Sequence, residues 1–338
     1  MKLYIIGNGF DLHHGLKTGY LDYKKYLEKN NPALLKAFCS FPYLTHPEDD
    51  YELWTDLETS LTFDYQGFSS EYFSNLVEEK YPNLTSDTDY TWDEIATETD
   101  VMTEFIHDFT GPVFYNWLSQ IQINSVLPDA YLDLSIDSRY VTFNYTSTLE
   151  TVYHLAPENI FHIHGYLDEI NPSDLLSGSS IIPTTNTLEY EVVEPIRIPP
   201  INNHTVRSSI QFGSIHNNPN DIREFFSHQF QSDDYYGASI EPAVEHIFEF
   251  CTASSKDLSS NYDVLKGFID DDRIDEIVVM GHSFDGIDSK YYTDILFEKF
   301  KHCKWVVYYH VTDPDEITRE EERIRCFFTG LNLSLREW

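Results

Sequence analysis

Four short polar clusters in this 338-residue chain carry side chains suited to chemistry. Gly7-Asn8-Gly9-Phe10-Asp11, Phe143-Asn144-Tyr145, His164-Gly165 and Gly281-His282-Ser283 each follow a run of β-forming residues. In the first, Gly7 and Gly9 would let backbone N–H groups approach a nucleotide or another small anion. The dinucleotide fingerprint needs a further glycine where Leu12 stands, so that motif is incomplete. The segment Gly281-His282-Ser283-Phe284-Asp285 has the order of a nucleophile elbow, with His302 or His310 as base, but Asp285 stands where the elbow needs glycine. His162 and His164, two residues apart on one strand, would face the same side and chelate a metal with Asp11 or Asp288. A core His162 and a site His164 is the simpler account, and no carboxylate spacing supports a metal.

The elements that must position these groups are read from periodicity. Leu3 to Ile6, Arg139 to Phe143, Ile160 to His164, Glu276 to Met280 and Lys304 to Tyr309 are short apolar or alternating runs that end in Gly or Asn, as strands of a buried parallel sheet do. Ile210 to Phe212, stopped by Gly213, reads as one more short strand. Helices are predicted over Tyr20 to Lys29, Pro32 to Phe38, Asp49 to Leu61, about Glu71 to Lys80, and Trp92 to Ile123 with a break at Gly111-Pro112. Ser147 to His154, Asp221 to Phe230, Pro242 to Phe250, Asn261 to Phe268, Asp288 to Phe300 and Glu316 to Phe328 complete the helical set. The pattern predicts a single α/β domain over 1–338, Rossmann-like, with a mostly parallel sheet. A helical insertion is predicted at about 40–130, and a Pro-, Ser- and Thr-rich loop or cap at about 171–207.

Composition narrows the function classes. With 57 acidic against 22 basic residues the formal net charge is -35, which repels nucleic acid and anionic membranes. Cys39, Cys251, Cys303 and Cys326 lie far apart without C-x-x-C spacing, which points to a reducing compartment rather than a disulfide framework. No apolar run is long enough to cross a bilayer, so a cytoplasmic location without membrane contact is expected.

In order along the chain, GNGFDLHHGLKTGY, the W-x-D-x-E segment from Trp54 to Glu58, FNYTSTLE, HIHG and GHSFDGIDSKYY together resemble the bacteriophage abortive-infection AbiH family. The likeness runs over nearly the whole chain, with 171–207 and 214–270 adding little. More distantly, the set is similar to sirtuin-like NAD-binding proteins, which carry a Gly-rich first turn, an Asn-bearing strand end and a His-Gly strand end in this order. The resemblance implies phage defence, with NAD or a related nucleotide as substrate or ligand and a phage-encoded trigger as partner. By that likeness Asn144 and His164 are catalytic candidates and Gly7, Gly9 and Asp11 lie on the nucleotide-binding turn; by its charge Asp11 is a catalytic candidate too, and by their place at strand ends Asn8, Phe10, Gly281, His282, Ser283 and Asp288 are expected to contact the nucleotide. Sirtuin-like motifs usually carry Asp two residues after the Asn, where this chain has Thr146.

The chemistry so implied is cleavage of the nicotinamide–ribose bond, which builds positive charge on the ribose and needs electron-rich groups, a positioned water and a base. Asn144 would hold water or ribose, neutral His164 would accept a proton, and Asp11 or Glu150 would offset the charge. The alternative is a nucleotide-binding sensor without catalysis, favoured by Thr146.

Overall fold

A computed structural model of the chain describes residues 1–75, 88–127, 130–167, 180–183, 190–193, 210–230, 234–284, 286–311 and 314–337. Its centre is a sheet of six parallel strands: β1 (Lys2–Ile6), β2 (Arg139–Thr142), β3 (Ile160–His162), β6 (Glu276–Met280), β7 (Lys304–Tyr309) and β8 (Asn332–Glu337). Across the sheet they lie in the order β3-β2-β1-β6-β7-β8. The chain winds outward from β1 in one direction and then from β6 in the other, which is the doubly wound Rossmann order. The gap between the carboxyl ends of β1 and β6 is therefore the topological switch point, where open α/β sheets form their crevice.

Side chains of alternate residues leave a strand on opposite faces, and here both faces are covered. Leu3, Ile5, Val141, Ile277, Val279 and Val307 join a core closed by Leu265, Ile324 and Phe328 from helices and their ends. Tyr4, Ile6, Tyr140, Val278 and Met280 meet Phe10, Leu149 and Leu155 on the other face. This two-sided burial explains the unbroken apolar runs of the central strands. Helices from the segment between β1 and β2 build a third, largely aromatic core, and the helices Pro219–Phe230 and Asp234–Ala253 join it through Phe226, Ile247 and Phe250. The helical layer thus draws on chain from both sides of β2 and β3.

Several predicted elements are altered by local chemistry. The helix expected over Asp49 to Leu61 is two, Asp50–Thr55 and Leu57–Ser60, because Asp56 leaves helical geometry and caps the second by accepting from the Thr59 N–H. Gly111-Pro112 breaks the long helix as expected, into Phe105–Thr110 and Pro112–Ser119, with Thr88–Thr103 before them. The helix expected from Ser147 to His154 is only Thr148–Thr151, and the chain leaves it with His154 at a φ of 54°. Ile210 to Phe212 forms no strand; its backbone instead clamps the site, Gln211 N–H donating to the His164 carbonyl at 2.9 Å. Asp288 to Phe300 is a helix from Ser289 to Lys299 whose middle, Tyr292–Leu296, widens to π geometry. β8 was not expected: its NLSLRE sequence is half-exposed and lacks the apolar run of the inner strands.

The predicted helix at Glu71 to Lys80 lies partly outside the described residues; its beginning falls in a π-helical turn at Phe68–Phe73. Most of 171–207 lies outside them as well. Within it β4 (Ser180–Pro183) and β5 (Tyr190–Val193) pair as an antiparallel ribbon. No helix among the described residues is long and apolar enough to cross a membrane.

Candidate functional site

A cavity of about 1450 Å³ opens over the switch point, bounded by the turns after β1, β2 and β6 and by the broken helix around Asp56. Two of these turns are locked together by glycines. The Gly7 N–H donates to the Met280 carbonyl at 2.9 Å and the Gly9 N–H to the Gly281 carbonyl at 2.8 Å. A Cβ on Gly281, whose φ is +69°, would lie 2.2 Å from the Phe10 nitrogen. The glycines at the cavity edge thus permit backbone to approach backbone, and the two N–H groups expected to face an anion are spent on strand β6 and its turn. Phe10 is fully buried and packs on His14 at 4.4 Å between ring centres. Asn8 exchanges hydrogen bonds with Thr18, accepting from its hydroxyl at 2.6 Å and donating to its carbonyl at 3.1 Å.

On one wall stand Asp11 and Asn144. Asp11 is 0% exposed, and its Oδ2 accepts from the Thr146 hydroxyl at 2.6 Å. With that proton committed, the 3.0 Å contact between Thr146 and Thr148 is donated by Thr148, giving a relay that ends on the carboxylate. Burial pushes the Asp11 carboxyl up to about 6, against the opposing pull of Thr146, Thr148 and Asn144. Asp11 Oδ1 and Asn144 Oδ1 are both buried without a hydrogen-bond partner. Asn144 is itself held by its backbone: its N–H donates to Thr142 Oγ1 at 3.1 Å, and its carbonyl accepts from His162 Nδ1 at 3.2 Å. His162 Nε2 reaches Glu150 at 2.8 Å, so Glu150 braces His162 from behind Asn144.

A second part of the cavity wall is a buried charge cluster. Lys256, with no exposed side-chain surface, lies 2.6 Å from Glu58 Oε2 and 3.6 Å from Asp288 Oδ1, and both carboxylates border the cavity. Its Nζ is also 3.2 Å from His164 Nε2, which in turn lies 2.9 Å from Asp288 Oδ1. Burial alone would raise the Asp288 carboxyl; Lys256 and His164 overcome it and hold the group well below the usual carboxylate range. Glu58 Oε1 accepts from the Tyr20 hydroxyl at 2.6 Å and lies 3.0 Å from that of Tyr145. Both phenols are pushed up strongly by burial and by the Glu58 charge, so they stay protonated donors. The break at Asp56 sets Glu58 on this wall while Trp54 and Leu57 enter the helical core.

His162 and His164 do not share a face as predicted. The strand ends at His162, and the turn sends His164 toward Asp288 while His162 faces Glu150, so the two imidazoles do not converge on one metal position. His164 is 1% exposed and lies behind Asp288 rather than on the cavity surface, with its Nδ1 buried and unpartnered. In the β6 turn, burial pushes His282 down to about 4, and its Nδ1 accepts from the Phe284 N–H at 3.1 Å, so the neutral ring carries its proton on Nε2. Ser283 is exposed, and no histidine among the described residues hydrogen-bonds its hydroxyl. The strained residue of this turn is Phe284, with a φ of 61°, whereas an elbow places the strain on its serine. Asp285 lies outside the described residues. Arg323 donates to the Ser283 carbonyl at 2.6 Å and pairs with Glu320, and beside it exposed Arg319 adds positive charge to the rim.

The structure brings Asn144, Asp11, Asp288 and the three turns to one cavity, with His164 in contact behind it. Sequence reasoning missed Lys256, Tyr20 and Tyr145, and gave Glu58 no role beyond its place in the W-x-D-x-E segment. Lys256 carries no local signal: it is a lone lysine 198 residues from Glu58 and 92 from His164.

Fold and site together define a Rossmann-like α/β protein with a polar, carboxylate-walled cavity at its switch point. The chain belongs to the bacteriophage abortive infection AbiH family, whose model matches residues 3–309. No curated protein matches it. Membership places the protein in phage defence by abortive infection.

Proposed function

We propose that this protein acts in abortive infection by hydrolysing the N-glycosidic bond of NAD or a related nucleotide in the switch-point cavity. The observation that carries this reading is the ionised Asp288 carboxylate, held by Lys256 and His164 at the wall of the cavity that Glu58 and Asn144 also line. Departure of nicotinamide leaves an oxocarbenium-like ribose, and preoriented carboxylates stabilise that charge most where water is scarce. Asp288 and Glu58 supply this field. Asn144, with an unpartnered carbonyl oxygen, accepts a hydrogen bond from the attacking water or from the ribose. His164 acts through Asp288 as a positioning residue, and Arg319 and Arg323 offer the diphosphate a charged rim in place of the glycine turn.

A sensor without catalysis draws on a different observation. Both oxygens of Glu58 are already engaged, by Tyr20, Tyr145 and Lys256, as suits a fixed electrostatic wall more than a reacting group. Titration calorimetry with NAD separates the two: a sensor gives saturable heat and returns NAD intact, whereas the hydrolase gives continuing heat as NAD is consumed.

A further inference from the structure

Asp11 Oδ1 and Asn144 Oδ1 are neighbouring acceptors on the wall formed by the turns after β1 and β2, both buried and both without a donor. Asp11 is 0% and Asn144 6% exposed, so water does not compensate either oxygen fully. An unpaired buried acceptor carries a desolvation cost that a ligand donor would recover. The rest of the neighbourhood is already settled. Thr146 spends its proton on Asp11 Oδ2 and lies 3.0 Å from the Thr148 hydroxyl, the Thr148 and Asn144 side chains also favour the Asp11 carboxylate, and the Asn144 backbone is tied to Thr142 and His162.

We propose that Asp11 and Asn144 form a subsite for the vicinal hydroxyls of a ribose, each accepting one O–H. This inference rests on the nucleotide reading and specifies which part of the ligand lies between β1 and β2. A diol fits the pair because it presents two adjacent donors on a rigid ring, matching two oxygens on adjacent turns. It is also neutral. Burial drives the Asp11 carboxyl toward its uncharged form, so this wall is ill suited to a second charge, and the threonine hydroxyls turn protons rather than lone pairs toward the carboxylate, which disfavours a metal ion. Placing the diol here puts the ribose ring, where positive charge would develop, in the same cavity as the carboxylates of Glu58 and Asp288.

The test is calorimetric titration of the full chain with ADP-ribose and with its analogue lacking the vicinal C2 and C3 hydroxyls of the terminal ribose, for wild type and Asp11→Asn. The substitution keeps an acceptor for Thr146 and puts an NH2 donor at the vacant Oδ1 position. Loss of the hydroxyls is expected to weaken binding to wild type by about tenfold to a hundredfold, the worth of one or two hydrogen bonds to a buried acceptor. Asp11→Asn is expected to weaken ADP-ribose by a similar factor and leave the analogue unchanged. Equal affinity of wild type for the two ligands, or equal weakening of both by Asp11→Asn, would overturn the subsite and leave the nucleotide reading standing. Absence of any saturable heat from ADP-ribose with wild type would overturn both.

Discussion

The Thr146 hydroxyl donates to Asp11 Oδ2 at 2.6 Å, joining the turn after β2 to the turn after β1 beneath the cavity. A carboxyl held at about 6 in the folded chain and near 3.9 when unfolded makes stability depend on pH. Below about pH 4 both states are protonated and the group contributes nothing. Between pH 4 and 6 the unfolded chain ionises first, so stability falls, and above pH 6 the full penalty remains. Asp11→Asn therefore matches wild type at pH 4 and exceeds it at pH 8 by up to about 3 kcal/mol. Urea denaturation across this range checks the prediction; a difference that does not grow with pH contradicts it.

Lys256 neutralises two carboxylates from a fully buried position. Lys256→Met fills the space but leaves Glu58 and Asp288 facing each other without a cation, and costs about 3–5 kcal/mol. Adding Glu58→Gln to that variant recovers part of the loss, because one uncompensated charge is gone. Denaturation midpoints of the single and double variants decide this, and a double variant no more stable than Lys256→Met would be inconsistent with charge as the cause.

Gly281 and Gly15 both adopt positive φ, +69° and +75°, but a Cβ meets the Phe10 nitrogen at the first and open space at the second. Gly15→Ala should cost only the conformational term, about 1–2 kcal/mol. Gly281→Ala adds a backbone collision between the β1 and β6 turns and should cost at least twice as much. Similar unfolding midpoints for the two variants would refute the interlock.

His282 is kept neutral by burial, down to about 4, while the unfolded ring titrates near 6.5. Its folded pKa is depressed, so its contribution is complete above pH 6.5 and drains away as pH falls from 6.5 to 4. His282→Asn keeps an acceptor for the Phe284 N–H and removes the titration. Relative to wild type it gains about 3 kcal/mol on going from pH 7 to pH 4. Thermal unfolding at the two pH values measures it.

How much of this was legible in the sequence depended on how local each signal was. β6 and β7 were read to the residue because a strand covered on both faces must be apolar throughout, and glycine or a polar residue must stop it. β8 escaped because an edge strand needs no such run. The strand ends carrying Asn144, His164 and Gly281 were found for the same local reason. What failed was geometry set by single residues or by distant ones. Asp56 turns the chain and re-aims Glu58, the turn after His162 reverses His164, and Lys256 reaches three partners from the far side of the sequence. Asp11 was picked out by its charge, but its contact with Thr146, which spans 135 residues, had no local signal.

The central claim is that Asn144 and the carboxylate wall act on a nucleotide's N-glycosidic bond. The most direct measurement is chromatography of NAD incubated with purified protein, following nicotinamide and ADP-ribose, for wild type, Asn144→Ala, Glu58→Gln and His164→Ala. The account predicts product with wild type and loss of at least about a hundredfold in rate for Asn144→Ala, whose backbone ties to Thr142 and His162 do not depend on its side chain. Glu58→Gln and His164→Ala lower the rate through the charge and placement of the wall. Undiminished product from Asn144→Ala, or none from wild type when NAD and related nucleotides are supplied, would contradict it.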